Sequence, residues 1–211
     1  PRQPGTRSDD SPAPQGIVVS AFKHNEPMND APISIAAYSQ AMLDERGIKD
    51  MRAIARITPG VLFRDGWASS SNLSIRGIYS NTGSATTGVY IDDTPIQVRQ
   101  LGAGVSATNI YPMLFDLERV EVLRGPQGAL FGSGSEGGAI RFITRQPDFD
   151  KASVYAESEV MATTGGEPGG ELGAALSVPI RTGRIALRAA AYIRRDGGWI
   201  DRVSYPDAHL V

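Results

Sequence analysis

Apolar and polar residues alternate strictly in three consecutive runs towards the C-terminal end of the chain. In Lys151–Thr163, Val154, Ala156, Ser158 and Val160 fall on one side, and Tyr155, Glu157 and Glu159 on the other. In Glu171–Arg181, Leu172, Ala174, Leu176, Val178 and Ile180 share one phase. In Arg184–Arg195, Ile185, Leu187, Ala189, Ala191 and Ile193 face one way, and Arg184, Arg188, Tyr192 and Arg194 the other. A period of two puts each set on one face of a strand. The turn-rich TGGEPGG and TG between the runs predict an antiparallel meander. Runs of ~10 residues with this alternation are the signature of membrane-spanning β-strands. A soluble antiparallel sheet with one buried face has the same period, so period alone does not separate the two. The small residues and the lack of aromatics on the apolar face argue against a dense soluble core.

Before Pro147 the pattern is mixed. ISIAA (Ile33–Ala37) reads as a strand. Ser39 is placed to cap a helix QAMLDER that stops at Gly47, and Asp50 to cap a second, MRAIARI, ended by Thr58-Pro59-Gly60. NLSIRGI (Asn72–Ile78), GVYIDDTPI (Gly88–Ile96), RVEVLRG (Arg119–Gly125) and AIRFIT (Ala139–Thr144) read as strands, with PQGALFG as a turn. Polar, small-residue loops are expected at Arg64–Ser71, Tyr79–Thr87 and Gln97–Asn109, and such loops are where binding is usually found.

The N-terminal PRQPGTRSDDSPAP has no apolar residue larger than Ala, so residues 1–16 are expected to be a disordered linker. An isolated apolar pulse, IVVSA (Ile17–Ala21), follows. It reads either as an edge strand of the next domain or as a peptide that adds a strand to a partner's sheet.

Composition removes several function classes. With 21 basic and 23 acidic residues the net charge is −2, which argues against a general nucleic-acid binder. There is no Cys, and the only two His, His24 and His209, stand far apart, which argues against thiolate and His-based metal sites. No apolar run approaches the ~20 residues of a membrane helix. No signal peptide is visible at Pro1, so the chain is expected to be cytosolic or already processed. No Ser-His-Asp set, metal cluster or phosphate loop supports an enzyme. The paired carboxylates Asp92-Asp93 sit in a turn, where Asp is expected.

GSGSEGGAI (Gly132–Ile140) matches G-x-G-x-x-G, but that motif binds a nucleotide only where a helix opens within it. Here a strand follows. A tight turn with close backbone packing is the better reading.

The stretch LERVEVLRGPQGALFGSGSEGGAIRFIT, Leu117–Thr144, closely resembles the end of the plug domain of TonB-dependent outer-membrane receptors. ITPGV (Ile57–Val61), SIRGI (Ser74–Ile78) and GVYIDDTPI are similar to internal plug strands, in the right order, and IVVSA resembles a TonB box. Two departures stand out. The usual glycine of the YIDG turn is Asp93, so the turn is expected to differ in type, and SGSE (Ser133–Glu136) replaces the commoner Arg-Asn type of sequence.

The resemblance implies an α+β plug domain, a small mixed sheet with short helices, inside an antiparallel transmembrane β-barrel. This chain would hold about three of roughly 22 barrel strands. The implied organisation is a linker at 1–16, a TonB box at 17–21, a plug at 22–147 and the first barrel strands at 148–211. The implied activity is non-enzymatic: active import of a scarce ligand, most often a ferric siderophore, across the bacterial outer membrane. The TonB box (Ile17, Val18, Val19, Ser20, Ala21) would pair with TonB, which with ExbB and ExbD transmits the proton-motive force. Outer-membrane lipid would contact the barrel strands, and no cofactor is implied. In the family the glycine loop packs the plug close inside the barrel wall.

By motif, Arg76 and Arg124 match two plug arginines that contact barrel-wall glutamates in relatives; a guanidinium fork suits a carboxylate. The other reading is that each satisfies local carbonyls. For ligand contact, Arg64 matches a position used in some siderophore receptors. Trp67, Tyr79 and Arg99 are candidates by chemistry alone, as exposed aromatics or cations, and an ordinary surface role is open for each. The alternatives are a ligand-binding or signalling receptor, disfavoured by the short segment before Ile17, and an importer of cobalamin, haem, saccharide or small aromatic compounds.

Overall fold

The computed structural model describes residues 18–19, 26–27, 33–65, 71–80, 85–96, 111–162 and 164–198. The chain divides into two compact units, one ending at Thr144 and the other beginning at Arg145.

The first unit is built on a five-stranded mixed sheet. Its strands are β3 (Ser34–Ser39), β6 (Thr87–Ile91), β7 (Thr94–Pro95), β8 (Leu117–Arg124) and β9 (Gly138–Thr144), in the order β3-β8-β9-β6-β7. β6 runs parallel to β9 and the other pairs are antiparallel. Two further pairs stand apart from it: β1 (Val18–Val19) with β2 (Glu26–Pro27), and β4 (Val61–Asp65) with β5 (Ser71–Ile75).

β8 and β9 are buried along most of their length, as central strands covered on both faces must be. On one face Val120, Val122, Ile140, Phe142 and Val89 pack with Leu43, Met51 and Ile54 of the helices α1 (Gln40–Glu45) and α2 (Met51–Ile57). On the other, Ile35, Ala37, Leu123, Ala139 and Tyr90 pack with Phe131 of the short helix α3 (Gly128–Phe131) and with Val19.

The helix boundaries follow from capping. The amide of Met42 donates to Ser39 Oγ at 3.3 Å and that of Ala53 to Asp50 Oδ1 at 2.7 Å, each satisfying an orphan donor. Buried Gln40 ties α1 to the start of β8: its Nε2 donates to the Leu114 carbonyl at 3.0 Å and its Oε1 accepts from the Leu117 amide at 2.9 Å.

Three expectations are corrected. The predicted loop Arg64–Ser71 is strand at both of its ends: β4 runs to Asp65 and β5 starts at Ser71. Cross-strand pairing through Phe63–Leu73 and Arg64–Asn72 carries polar residues into the hairpin. The predicted strand Asn72–Ile78 stops at Ile75: Arg76 and Gly77 have φ of 54° and 77°, and the Ile78 amide turns back to the Ile75 carbonyl at 3.1 Å. GVYIDDTPI is a tight hairpin rather than one strand. Its positive φ of 52° falls on Asp92, not on the Asp93 that stands at the glycine position.

The glycine loop makes its close approaches within this unit. A Cβ on Gly138 would run into the Leu123 carbonyl, and Gly137 lies against the backbone of Ile75 and Ile78. Gly138 has no room for a side chain, Gly137 is tight, and Gly132 and Gly134 hold positive φ of 75° and 95°, which together account for a glycine-rich loop.

The second unit is a three-stranded antiparallel meander, β10 (Ser153–Met161), β11 (Gly169–Arg181) and β12 (Ile185–Arg195). Its register brings Val154, Leu176 and Ala189 into one row and Ser158, Leu172 and Ile193 into another, as the alternation predicts. A register shift between Pro179 and Arg181 adds a residue beyond the end of β10, where Pro179 costs no ladder bond to that strand. In the approach to β10, Asp148 Oδ1 accepts the amides of Asp150 and Lys151 at 2.8 and 3.0 Å. Those two bonds hold its carboxyl below the usual carboxylate range. No described helix is long and apolar enough to cross a membrane.

Candidate functional site

The meander is inside out by the standard of a soluble sheet. On its apolar face Val154, Val160, Leu172 and Ile193 are 74%, 86%, 60% and 69% exposed, while on its polar face Glu171, Ala175 and Ser177 are buried. A continuous exposed apolar face of this kind marks contact with lipid or another apolar surface. On the polar face the carboxylates of Glu157, Glu159 and Glu171 approach one another within 4.8 Å. The Tyr192 hydroxyl donates to Glu171 Oε2 at 2.6 Å, and that of Tyr155 to Glu157 Oε2 at 3.1 Å.

In the first unit, Arg76 and Arg124 come to the same place. Arg124 Nη1 donates to the Pro59 carbonyl at 3.1 Å. The Arg76 amide donates to the Gly60 carbonyl at 2.6 Å, and its side chain passes over Gly60 to end beside Gly125. Arg76 holds a left-handed backbone conformation that non-glycine residues rarely adopt, which aims it away from the β5 ladder. Among the described residues neither guanidinium makes an ion pair, and Arg124 Nε is buried without a hydrogen-bond partner. A buried guanidinium donor left unmet costs free energy until an acceptor is supplied.

Of the predicted TonB-box residues, Val18 and Val19 form β1, paired with Pro27 and Glu26. Val19 is fully buried against the sheet. Ile17, Ser20 and Ala21 lie outside the described residues. Of the predicted ligand contacts, Arg64 is exposed on β4 near the hairpin tip, and Tyr79 is 50% exposed just past the Arg76–Gly77 turn. Trp67 and Arg99 lie outside the described residues.

Sequence reading missed a buried chain of alternating charges. Arg119 Nε and Arg141 Nη1 each bond one oxygen of fully buried Glu121 at 2.7 Å. Arg119 also pairs with Glu118 and Arg141 Nη2 with Asp93 at 3.2 Å, while the Arg141 guanidinium lies 5.6 Å from the centre of the Phe131 ring. The available signal was the alternation of Arg119, Glu121 and Leu123 on one face of β8, with Arg141 on β9.

Comparisons with known proteins agree with this architecture. Residues 27–139 match the family model of the TonB-dependent receptor plug domain. The chain is 32% identical over 148 residues to the iron-regulated outer membrane virulence protein of Vibrio cholerae serotype O1, covering 68% of this chain and 21% of that protein. Among solved structures, the ferric yersiniabactin uptake receptor FyuA from Yersinia pestis superposes with a TM-score of 0.57 at 27% identity, over 72% of this chain and 22% of the other. The ferripyoverdine receptor of the outer membrane of Pseudomonas aeruginosa has the same fold, with a TM-score of 0.67 at 23% identity, over 84% and 22%. The chain thus spans about one fifth of the length of the relatives it matches. With a plug-type mixed sheet, a meander with an exposed apolar face after it in the chain and a family match over more than half its residues, the chain belongs to the TonB-dependent receptors.

Proposed function

We propose that the chain is the plug and first wall strands of a bacterial outer-membrane receptor that imports a scarce ligand, a ferric siderophore, with energy delivered by TonB, ExbB and ExbD. The observation that carries this reading is the inverted meander that follows the plug fold in the chain, its apolar face exposed and the polar face of its central strand buried. It suits a strand set with lipid on one side and an occupied lumen on the other. The ligand class is supported by the relatives, which include receptors for ferric yersiniabactin and ferripyoverdine.

In this reading the Ile17–Ala21 segment pairs as an added strand with TonB. To do so it leaves β2 and withdraws Val19 from the sheet face. Arg76 and Arg124 act as the latch: wall carboxylates would take the donors, including Arg124 Nε, that find no acidic partner among the described residues. Arg64 and Tyr79, with Trp67 and Arg99, are proposed as ligand contacts on the plug. The test is accumulation of a labelled panel (ferric siderophores, cobalamin, haem, oligosaccharides, small aromatics) by energised cells carrying the full-length receptor. Accumulation of a ferric siderophore supports the reading; accumulation of another class alone overturns the ligand and keeps the receptor.

A further inference from the structure

The carboxylates Asp92 and Asp93 have no part in the function proposed above, yet both grip the strand by which the chain leaves the plug. The parallel ladder between β6 and β9 ends at the Ile91–Phe142 pair. Beyond it the Asp92 side chain takes over. Asp92 Oδ1 accepts the Thr144 amide and Oδ2 the Thr144 hydroxyl, each at 2.9 Å, while the Asp92 amide donates to the Phe142 carbonyl at 2.9 Å. Asp93 reaches Arg141 Nη2 at 3.2 Å and so forms the outer end of the buried charge chain. Thr144 is the last residue of the first unit, and exposed Arg145 begins the second.

We propose that the Asp92–Asp93 turn is a two-point clasp that fixes the exit of the plug. Asp92 holds Thr144, Asp93 holds Arg141, and the β6–β7 hairpin moves as one body with the end of β9. The backbone supports this. Asp92 sits at a positive φ of 52°, and a strained residue persists where its surroundings over-determine it; here three hydrogen bonds do so. Strand ends otherwise fray, and ionised acceptors make the stronger hydrogen bonds. Glycine at position 92 would relax the backbone and lose both carboxylate bonds.

The clasp is independent of which ligand the receptor takes or whether it transports, so its test uses neither ligand nor TonB. Amide hydrogen exchange is followed by mass spectrometry in the full-length receptor, on peptides covering the end of β9. Asp92→Ala is expected to speed exchange at Thr144 roughly 10- to 100-fold while Val122 and Ile140 stay protected. Asp92→Asn, which keeps one acceptor and tolerates positive φ, restores part of the protection. Thr144→Val, removing one bond from the other partner, gives a smaller rise, and Asp93→Gly loosens Arg141 while Thr144 stays protected. Wild-type exchange at Thr144 in both Asp92→Ala and Thr144→Val overturns the clasp. So does equal loss of protection throughout β8 and β9 in both, which would make Asp92 a general fold determinant.

Discussion

Arg76 and Arg124, 48 positions apart in sequence, converge on the Pro59–Gly60 turn. Arg124 bonds the Pro59 carbonyl, and Arg76 lies over Gly60 and beside Gly125. Two like charges gathered without a described acidic partner are unfavourable unless an anion joins them. Replacing both by alanine is expected to lower the force needed to extract the plug from the full-length receptor in single-molecule pulling. An unchanged force would remove the latch from the account.

Val19 is the residue that keeps the N-terminal strand docked. It is fully buried, in the cluster that Ile35, Ala37, Leu123 and Ala139 form on the sheet face. Val19→Ala removes about two methylene equivalents of burial, about 1.5 kcal/mol, which shifts docking about tenfold. Amide exchange at Val19 in the unliganded receptor should then speed up about tenfold by mass spectrometry. Unchanged exchange would mean that burial of Val19 does not hold the segment in place.

Glu121 holds two arginines inside the sheet. Glu121→Ala leaves both cations without their shared partner, at a cost of about 3–5 kcal/mol. Faster amide exchange across β8 and β9 in the full-length receptor is the expected readout. Glu121→Gln, which keeps one acceptor, should cost less.

Leu176 lies in the middle of β11, on the exposed apolar face. If that face meets lipid, Leu176→Arg destabilises the bilayer-inserted receptor by ~2–4 kcal/mol in urea unfolding. A neutral result would point to a protein or solvent neighbour for this face.

Most of the fold was legible because its signals are local. Ser39 and Asp50 announce their helices, and the period-two runs fix both faces of the meander. The misreadings arose where tertiary pairing overrides local pattern. Polar Arg64 and Asp65 become strand because β5 lies opposite them. Arg76 breaks a strand that its neighbours would continue, because its amide is taken by the Gly60 carbonyl. The charge chain was hidden because Arg119 and Glu121 look like a solvated edge until β9 brings Arg141 across from Glu121. Of the candidate site, sequence supplied Arg76 and Arg124 by resemblance to a family, and only the fold brings them to one turn.

The most direct test of TonB-gated import is accumulation of a labelled ferric siderophore in energised cells, comparing the full-length receptor with its Val18→Pro variant. Proline removes the amide that a paired strand needs. The wild type is expected to accumulate the siderophore until a proton uncoupler is added, and the variant to accumulate none at equal outer-membrane abundance. Accumulation that survives the uncoupler, or that Val18→Pro leaves intact, would contradict TonB-gated import.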